Sequence, residues 1–335
     1  MSIIQTRRRF LAGLSGIGAA ALLSPPCLAA EGPLETTTVR LPKGPGICAA
    51  PQDVVLDLLR DEGFTDIRYV PRASGTTTPD QIARREIDFA VNYAHVLVAG
   101  IDHGVAMKVL AGIHVGCFEV FVNGAIRGVA DLAGKKVGIG AVGSTEHLFL
   151  SLVAANVGID PKTQIDWVVS SGQIHPKQLF IDGKIDAFLG QPPVPQELRA
   201  KGIGRVVVNS TVDRPWSQYF CCMLAGSTEY VEQHPVATKR VVRAILKATD
   251  LCATDPARVA RRLVDGGFTA RYDYALQTLR ELPYDKWREY DAEDTIRFYA
   301  LWLHDVGFIK TSPQTIITDG TDWRFLNELK REMKS

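Results

Sequence analysis

Beyond residue 36 the chain alternates short apolar runs with segments whose apolar positions recur every three or four residues. That alternation predicts strands and helices in turn, which is an α/β fold. Strands are expected at Thr37 to Leu41, Ile67 to Val70, Ile87 to Val91, Lys108 to Ile113 and Phe118 to Asn123. A second series is expected at Val137 to Gly140, Ile165 to Val169, Ile185 to Leu189, Arg205 to Asn209 and Gln218 to Leu224. Helices fall between them: Asp53 to Asp61, Pro79 to Glu86, Val96 to His103, Thr145 to Val157 and Pro176 to Asp182, with Gly63 and Gly158 as stops. From Val231 onward the pattern is helical. Val241, Ile245, Ala248 and Cys252 share one face, and Asp255 before Pro256 reads as an N-cap. Glu293 to Val306 and the Phe325, Leu326, Leu329 stripe add further helices. These helices are expected to pack on the first series of strands.

The two series echo each other. Glu86-Ile87-Asp88-Phe89-Ala90 and Lys184-Ile185-Asp186-Ala187-Phe188 each follow a short helix and enter an apolar strand. The correspondence of neighbouring elements points to two lobes of related architecture.

Composition narrows the function. The chain has 335 residues, 46% hydrophobic and 22% charged, with a formal net charge of +1. There is no basic excess to hold nucleic acid, and no partner of that kind is expected. The first thirty residues change the picture more. Arg7-Arg8-Arg9-Phe10-Leu11 precedes a mildly apolar run to Leu23, then Pro25, Pro26 and the small-residue stretch Cys27-Leu28-Ala29-Ala30. Basic, apolar and small segments in that order form an export signal, and the paired arginines give it a twin-arginine form. The thirteen residues from Leu11 to Leu23 are too few to span a membrane core, which needs about 20. Residues 1–30 are therefore read as a cleaved segment and the mature chain as periplasmic. Lipid attachment at Cys27 is an open alternative, although Ser24-Pro25-Pro26 makes a poor lipidation motif.

After cleavage five cysteines remain: Cys48, Cys117, Cys221, Cys222 and Cys252. The adjacent Cys221 and Cys222 sit in an apolar run and read as small buried hydrophobes. A Cys48–Cys117 disulfide is possible on sequence grounds. The seven histidines form no metal-binding pattern, and neither a metal nor a cofactor is expected. Gly138-Ile139-Gly140-Ala141-Val142-Gly143 matches the dinucleotide fingerprint letter for letter. Its first glycine falls inside the expected strand instead of at its end, which is the wrong context. Gly143-Ser144-Thr145 opens a helix, where unpaired N–H groups and hydroxyls suit an anion. Ser144 as a plain helix cap is the alternative. His95, with Asn92 and Tyr93, follows an apolar strand and is placed at a cleft by position alone.

Arg85-Glu86-Ile87-Asp88-Phe89-Ala90, Asp131-Leu132-Ala133-Gly134-Lys135-Lys136-Val137-Gly138 and Gly183-Lys184-Ile185-Asp186-Ala187-Phe188 resemble segments of the solute-binding proteins of bacterial ABC importers. The nitrate/sulfonate/taurine group, which also includes proteins similar to the thiamine-pyrimidine synthase, is the most similar. The resemblance implies a two-lobed type II periplasmic-binding-protein fold, each lobe a mixed sheet flanked by helices, with a helical C-terminal tail. Residues 31–121 and 222–335 would form lobe I and residues 122–221 lobe II, with hinges at Val120 to Asn123 and Phe220 to Leu224. Ligand contacts are expected from Gly46, Ile47 and Cys48; Ser74, Gly75 and Thr76; Asn92, Tyr93 and His95; Gly143, Ser144 and Thr145; Gln191; and the aromatic walls Trp216 and Tyr219. Lys43 and Arg72 lie near these in sequence. The implied function is reversible capture of a small solute by a monomer that delivers it to an inner-membrane permease. A sulfonate or carboxylate suits the helix N-terminus and hydroxyls; a pyrimidine or thiamine-precursor-like heterocycle suits the aromatics. A membrane-receptor sensor and a pyrimidine-synthase-like enzyme are further alternatives. Export argues against the enzyme, and catalytic residues are not expected.

Overall fold

The computed structural model describes residues 31–44, 46–73, 76–170 and 175–333. The expected export segment 1–30, Cys27 within it, and Ser74 and Gly75 lie outside the described residues. From Leu34 onward the elements form one unit. Among the described residues no helix is long and apolar enough to cross a membrane.

Among the described residues, ten strands make three sheets. Strands β1 (Thr38–Lys43) and β2 (Asp66–Pro71) pair in parallel, with Thr38 opposite Asp66. Strands β3 (Phe89–Tyr93) and β4 (Met107–Val115) flank β10 (Phe220–Ser227), both antiparallel to it. The third sheet holds β5 (Glu119–Val122), β6 (Lys136–Ile139), β7 (Asp166–Val169), β8 (Ala187–Gly190) and β9 (Arg205–Asn209) in the order β7-β6-β8-β5-β9. Its β6 is parallel to β7 and β8, and β5 is antiparallel to β8 and β9. Parallel neighbours need crossovers, which the helices Thr145–Ala155 and Pro176–Ile181 supply. Gly138 lies inside β6, with the Ile185 side chain packed where a Cβ would stand, so the glycine pattern is a packing feature.

The echo between the two series has a physical basis. Asp88 N–H donates to Arg40 O at 2.9 Å, its carboxylate accepts from Arg40 N–H at 2.7 Å, and its carbonyl accepts from Ser227 N–H at 2.8 Å. Asp186 repeats these three bonds: to Lys136 O at 2.7 Å, from Lys136 N–H at 2.9 Å, and from Asn123 N–H at 3.0 Å. Each aspartate thus precedes a buried strand and satisfies a backbone donor of the neighbouring strand. Three residues earlier, Gly183 takes φ +68°, and Arg85 takes φ +57° at the matching position. The glycine is at ease there, while the arginine bears the cost of a left-handed turn.

The chain passes between sheets at residues 116–118 and 210–219. The Ser210 hydroxyl accepts from Cys117 N–H (3.1 Å) and Phe118 N–H (2.8 Å), tying one passage to the other. Gly116, at φ +66°, packs so closely on Thr211 that a Cβ would overlap it. The expected hinge residues themselves lie inside strands, Val120 to Val122 in β5 and Phe220 to Leu224 in β10. The passages sit just upstream of each.

Two other expectations change. Asp53 to Asp61 is two short helices, Ala50–Asp53 and Leu56–Asp61. Helix Val194–Ala200 was not anticipated, because Pro192, Pro193 and Pro195 read as breakers. Proline in a helix's first turn lacks only an N–H that has no helical partner there, so Pro195 is tolerated. Several C-terminal helices pack on the first series, as expected, but Tyr272–Glu281 lies on Val194–Ala200 and Ala292–Asp305 also meets Thr145–Ala155, both in the second series. Pro235–Thr254 lies on Ala50–Asp53 and Leu56–Asp61, and Ala292–Asp305 lies on Ala94–Asp102. Asp255 accepts from Arg258 N–H at 3.1 Å, as an N-cap should.

Where the third sheet meets helix Tyr272–Glu281, Arg199 pairs with Glu281 at 2.6 Å and with Glu119 at 3.4 Å. The guanidinium is shared and one Glu119 oxygen is buried without a partner, so burial pushes the Glu119 carboxyl up to about 7.

Two predictions follow from these contacts. Asp88→Ala and Asp186→Ala should each lower unfolding free energy by about 1–3 kcal/mol in denaturant titrations, while Asp182→Ala, on an exposed turn, should stay within about 0.5. Equal effects at all three would contradict the role given to the paired aspartates. The native Glu119 binds its proton more tightly than the unfolded chain does, so its contribution to stability falls as pH rises through this range. Between about pH 5 and 8 the wild type should lose stability relative to Glu119→Gln; parallel curves would contradict it.

Candidate functional site

A cavity of about 360 Å³ opens where the loops after β1, β2, β3, β6 and β8 converge. Its walls are built from the ends of strands in all three sheets. Of the expected residues, Gly46, Cys48, Thr76, Asn92, Tyr93, Gly143, Ser144, Thr145 and Gln191 line it.

The wall is braced by one chain of hydrogen bonds. Tyr93 OH donates to Gln191 Oε1 at 2.9 Å, and Gln191 Nε2 donates to Glu146 Oε1 at 2.9 Å. Tyr93 lies five residues beyond Asp88, and Gln191 five residues beyond Asp186. The two equivalent positions of the echoed segments therefore meet across the cavity. Burial holds the Tyr93 phenol well above its ordinary value, so the hydroxyl stays a donor.

The charges are arranged unequally. Lys43, the last residue of β1, and Arg72, just after β2, bring two cations. Lys43 Nζ sits 5.5 Å from the centre of the Phe268 ring. Asp53 also lines the cavity, but burial raises its carboxyl well above the usual range, which favours its neutral form. Glu146 is left as the opposing carboxylate. Gln52 holds this floor in place, donating to Pro42 O at 3.1 Å and accepting from Val91 N–H at 2.8 Å.

The helix that opens at Thr145 is less free for an anion than its sequence implies. The Ser144 hydroxyl accepts from His147 N–H at 3.3 Å, and Gly143 N–H donates to His147 Nδ1 at 2.9 Å. Glu146, in the first turn, adds negative charge where the helix dipole is positive. Ser144 is thus a cap, and the cations stand at the ends of β1 and β2.

Four expected residues do not reach the cavity. Ile47 is fully buried, and its carbonyl accepts from Tyr284 OH at 3.4 Å. His95 is fully buried among Tyr93, Phe118, Phe149 and Tyr299, with Nε2 3.3 Å from Thr145 O. Burial drives its pKa down to about 3, so it is a neutral ring behind the wall. Trp216 is buried between Phe149 and Phe298, and Tyr219 stacks on Phe298 at 3.9 Å. Both belong to the 210–219 passage, which packs on helix Ala292–Asp305. Phe118 is also buried. In sequence reasoning Glu146, Gln52, Asp53 and Cys222 were not singled out as lining residues. The Glu146 position in a first helical turn was the one available signal.

The five described cysteines are buried and unbonded. The Cys48–Cys117 bond considered from sequence is absent, because Cys117 Sγ faces Cys221 Sγ at 2.8 Å.

Ser144→Ala should cost about 1 kcal/mol of stability through loss of the cap, measured by thermal or denaturant unfolding. An unchanged midpoint would show that the hydroxyl is not engaged with the helix.

Several solved structures are similar to this one. The periplasmic nitrate-binding protein NrtA from Synechocystis PCC 6803 aligns with a TM-score of 0.74 at 16% identity, covering 90% of each chain. The alkanesulfonate-binding protein SsuA from Xanthomonas axonopodis pv. citri, bound to MOPS, aligns with a TM-score of 0.68 at 17% identity over 83% of this chain and 96% of that one. The Candida albicans CA3427 product, described as having the generic periplasmic binding protein fold, aligns at 0.67 with 12% identity over 85% and 96%. At such identities the likeness shows the fold, a periplasmic-binding-protein fold with a helical C-terminal region. No curated protein matches the chain in sequence. Residues 32–264 match the NMT1-like family, and over that majority of its length the chain belongs to it.

Proposed function

We propose that the chain is the periplasmic solute-binding component of an ABC importer. As a monomer it binds a small organic anion, of sulfonate or carboxylate class, and presents it to a membrane permease. The observation that carries this reading is the charge layout of the cavity: Lys43 and Arg72 against Glu146, with burial favouring the neutral form of Asp53. Lys43 and Arg72 take the anionic group, while Thr76, Asn92, Tyr93 and Gln191 supply neutral polar contacts. Residues 143–145 form the facing wall. A cavity of about 360 Å³ suits a small solute. Similarity to nitrate- and alkanesulfonate-binding proteins supports the same class.

In this reading residues 31–121 with 222–335 are one lobe and residues 122–221 the other. Rotation about the passages at 116–118 and 210–219 opens and closes the cavity, and the Tyr93–Gln191 bond belongs to the closed state. No bond of the solute is made or broken. The twin-arginine segment brings the chain to the periplasm. A flat heterocycle is less well served, because Phe118, Trp216 and Tyr219 are engaged away from the cavity.

A thermal-shift screen of sulfonates, carboxylates, nitrate and pyrimidines tests the class. The best ligand should be an anion, and Lys43→Ala and Arg72→Ala should each weaken it by about tenfold or more, as expected for loss of a charged hydrogen bond. Asp53→Asn should bind within about threefold of wild type at neutral pH, since burial favours the uncharged form of Asp53. A pyrimidine as best ligand, with both cation variants binding as wild type, would overturn the proposal.

A further inference from the structure

We propose that Cys117, Cys221 and Cys222 form a buried site for a soft, thiophilic metal ion, Cu(I), beside the floor of the ligand cavity. The three Sγ atoms lie within 4.8 Å of one another. Three sulfurs around one ion at about 2.3 Å stand about 4 Å apart, and a spread of up to 4.8 Å reaches that arrangement with small side-chain shifts. The Cys117–Cys221 separation of 2.8 Å widens as an ion enters between the sulfurs.

The backbone is shaped to bring these groups together. Successive residues of a strand normally point to opposite faces. In the pairing of β10 with β4, Phe220 faces Val115 and Cys222 faces His114, so Cys221 is an extra residue in a bulge. A bulge re-aims side chains, and here it lets both neighbours turn toward Cys117. Cys117 itself arrives from 104 positions away, on the other passage between sheets, with φ +154°, a value that L-residues rarely adopt.

The donor set selects the metal. It contains three sulfurs and neither imidazole nor carboxylate. Thiolates favour Cu(I), whereas zinc sites of this kind usually complete four ligands. His114, whose Nε2 lies 3.0 Å from Cys48 O, also touches Cys222 but is not one of the three clustered ligands. Cys222 lines the ligand cavity, which gives the ion a way in. On binding, the coordinating thiols release their protons through that opening and no electron is transferred. The proposal does not depend on which solute the cavity takes.

The test uses the mature full chain, reduced and kept anaerobic, titrated with Cu(I) held by a chromophoric copper(I) chelator. The folded protein should withdraw one equivalent. X-ray absorption should show three sulfur neighbours at about 2.3 Å. Cys221→Ser and Cys222→Ser should lose the withdrawal while circular dichroism confirms that they fold. Cys252→Ser, buried outside the cluster, should keep it. The absorption spectrum of the wild type stands on its own should a variant misfold. No copper withdrawn by the folded protein, nitrogen or oxygen neighbours in the spectrum, zinc held in preference to copper, or a Cys117–Cys221 disulfide in the protein as isolated would each overturn the proposal.

Discussion

The hydrogen-bond chain from Tyr93 through Gln191 to Glu146 is the contact on which the site depends. It joins the end of β3, the end of β8 and the first turn of helix Thr145–Ala155. Tyr93 and Gln191 stand where they do because Asp88 and Asp186 fix the starts of their strands with the same three backbone contacts. A shift in either strand would move one partner and not the other. The cavity is thus positioned by buried backbone chemistry several residues away, and the cations are added at the ends of β1 and β2.

Electrostatics then separates residues that look alike in sequence. Lys43 and Arg72 line the cavity, but His95, in a favourable sequence position, is an uncharged ring within an aromatic cluster. Asp53 and Glu146 are both acidic and both face the cavity. Burial favours the neutral form of Asp53, while Glu146 bonds Gln191. The net result is a cavity with Lys43 and Arg72 at the ends of β1 and β2 and a capped helix start carrying Glu146 on the facing wall.

Much of this was legible from sequence. Periodicity located the strands within a few residues, and the Ile-Asp segments disclosed the repeated architecture because their aspartates do the same work in both places. Nine of the fifteen expected site residues line the cavity, since loops after strands converge in such folds. What could not be read were the consequences of long-range packing. Trp216 and Tyr219 look like cleft aromatics until Phe298, from the C-terminal helices, is seen to occupy them. Cys221 and Cys222 look like small hydrophobes until a bulge turns them toward Cys117. Helix Val194–Ala200 hid behind its prolines.

The central claim is reversible capture in this cavity without chemistry. Calorimetric titration of the wild-type protein with the anion that most stabilises it, followed by recovery of that compound, tests this most directly. The account predicts heat that saturates at one equivalent per chain and ligand recovered unchanged. Heat that continues after saturation, with a new compound in the recovered material, would contradict it.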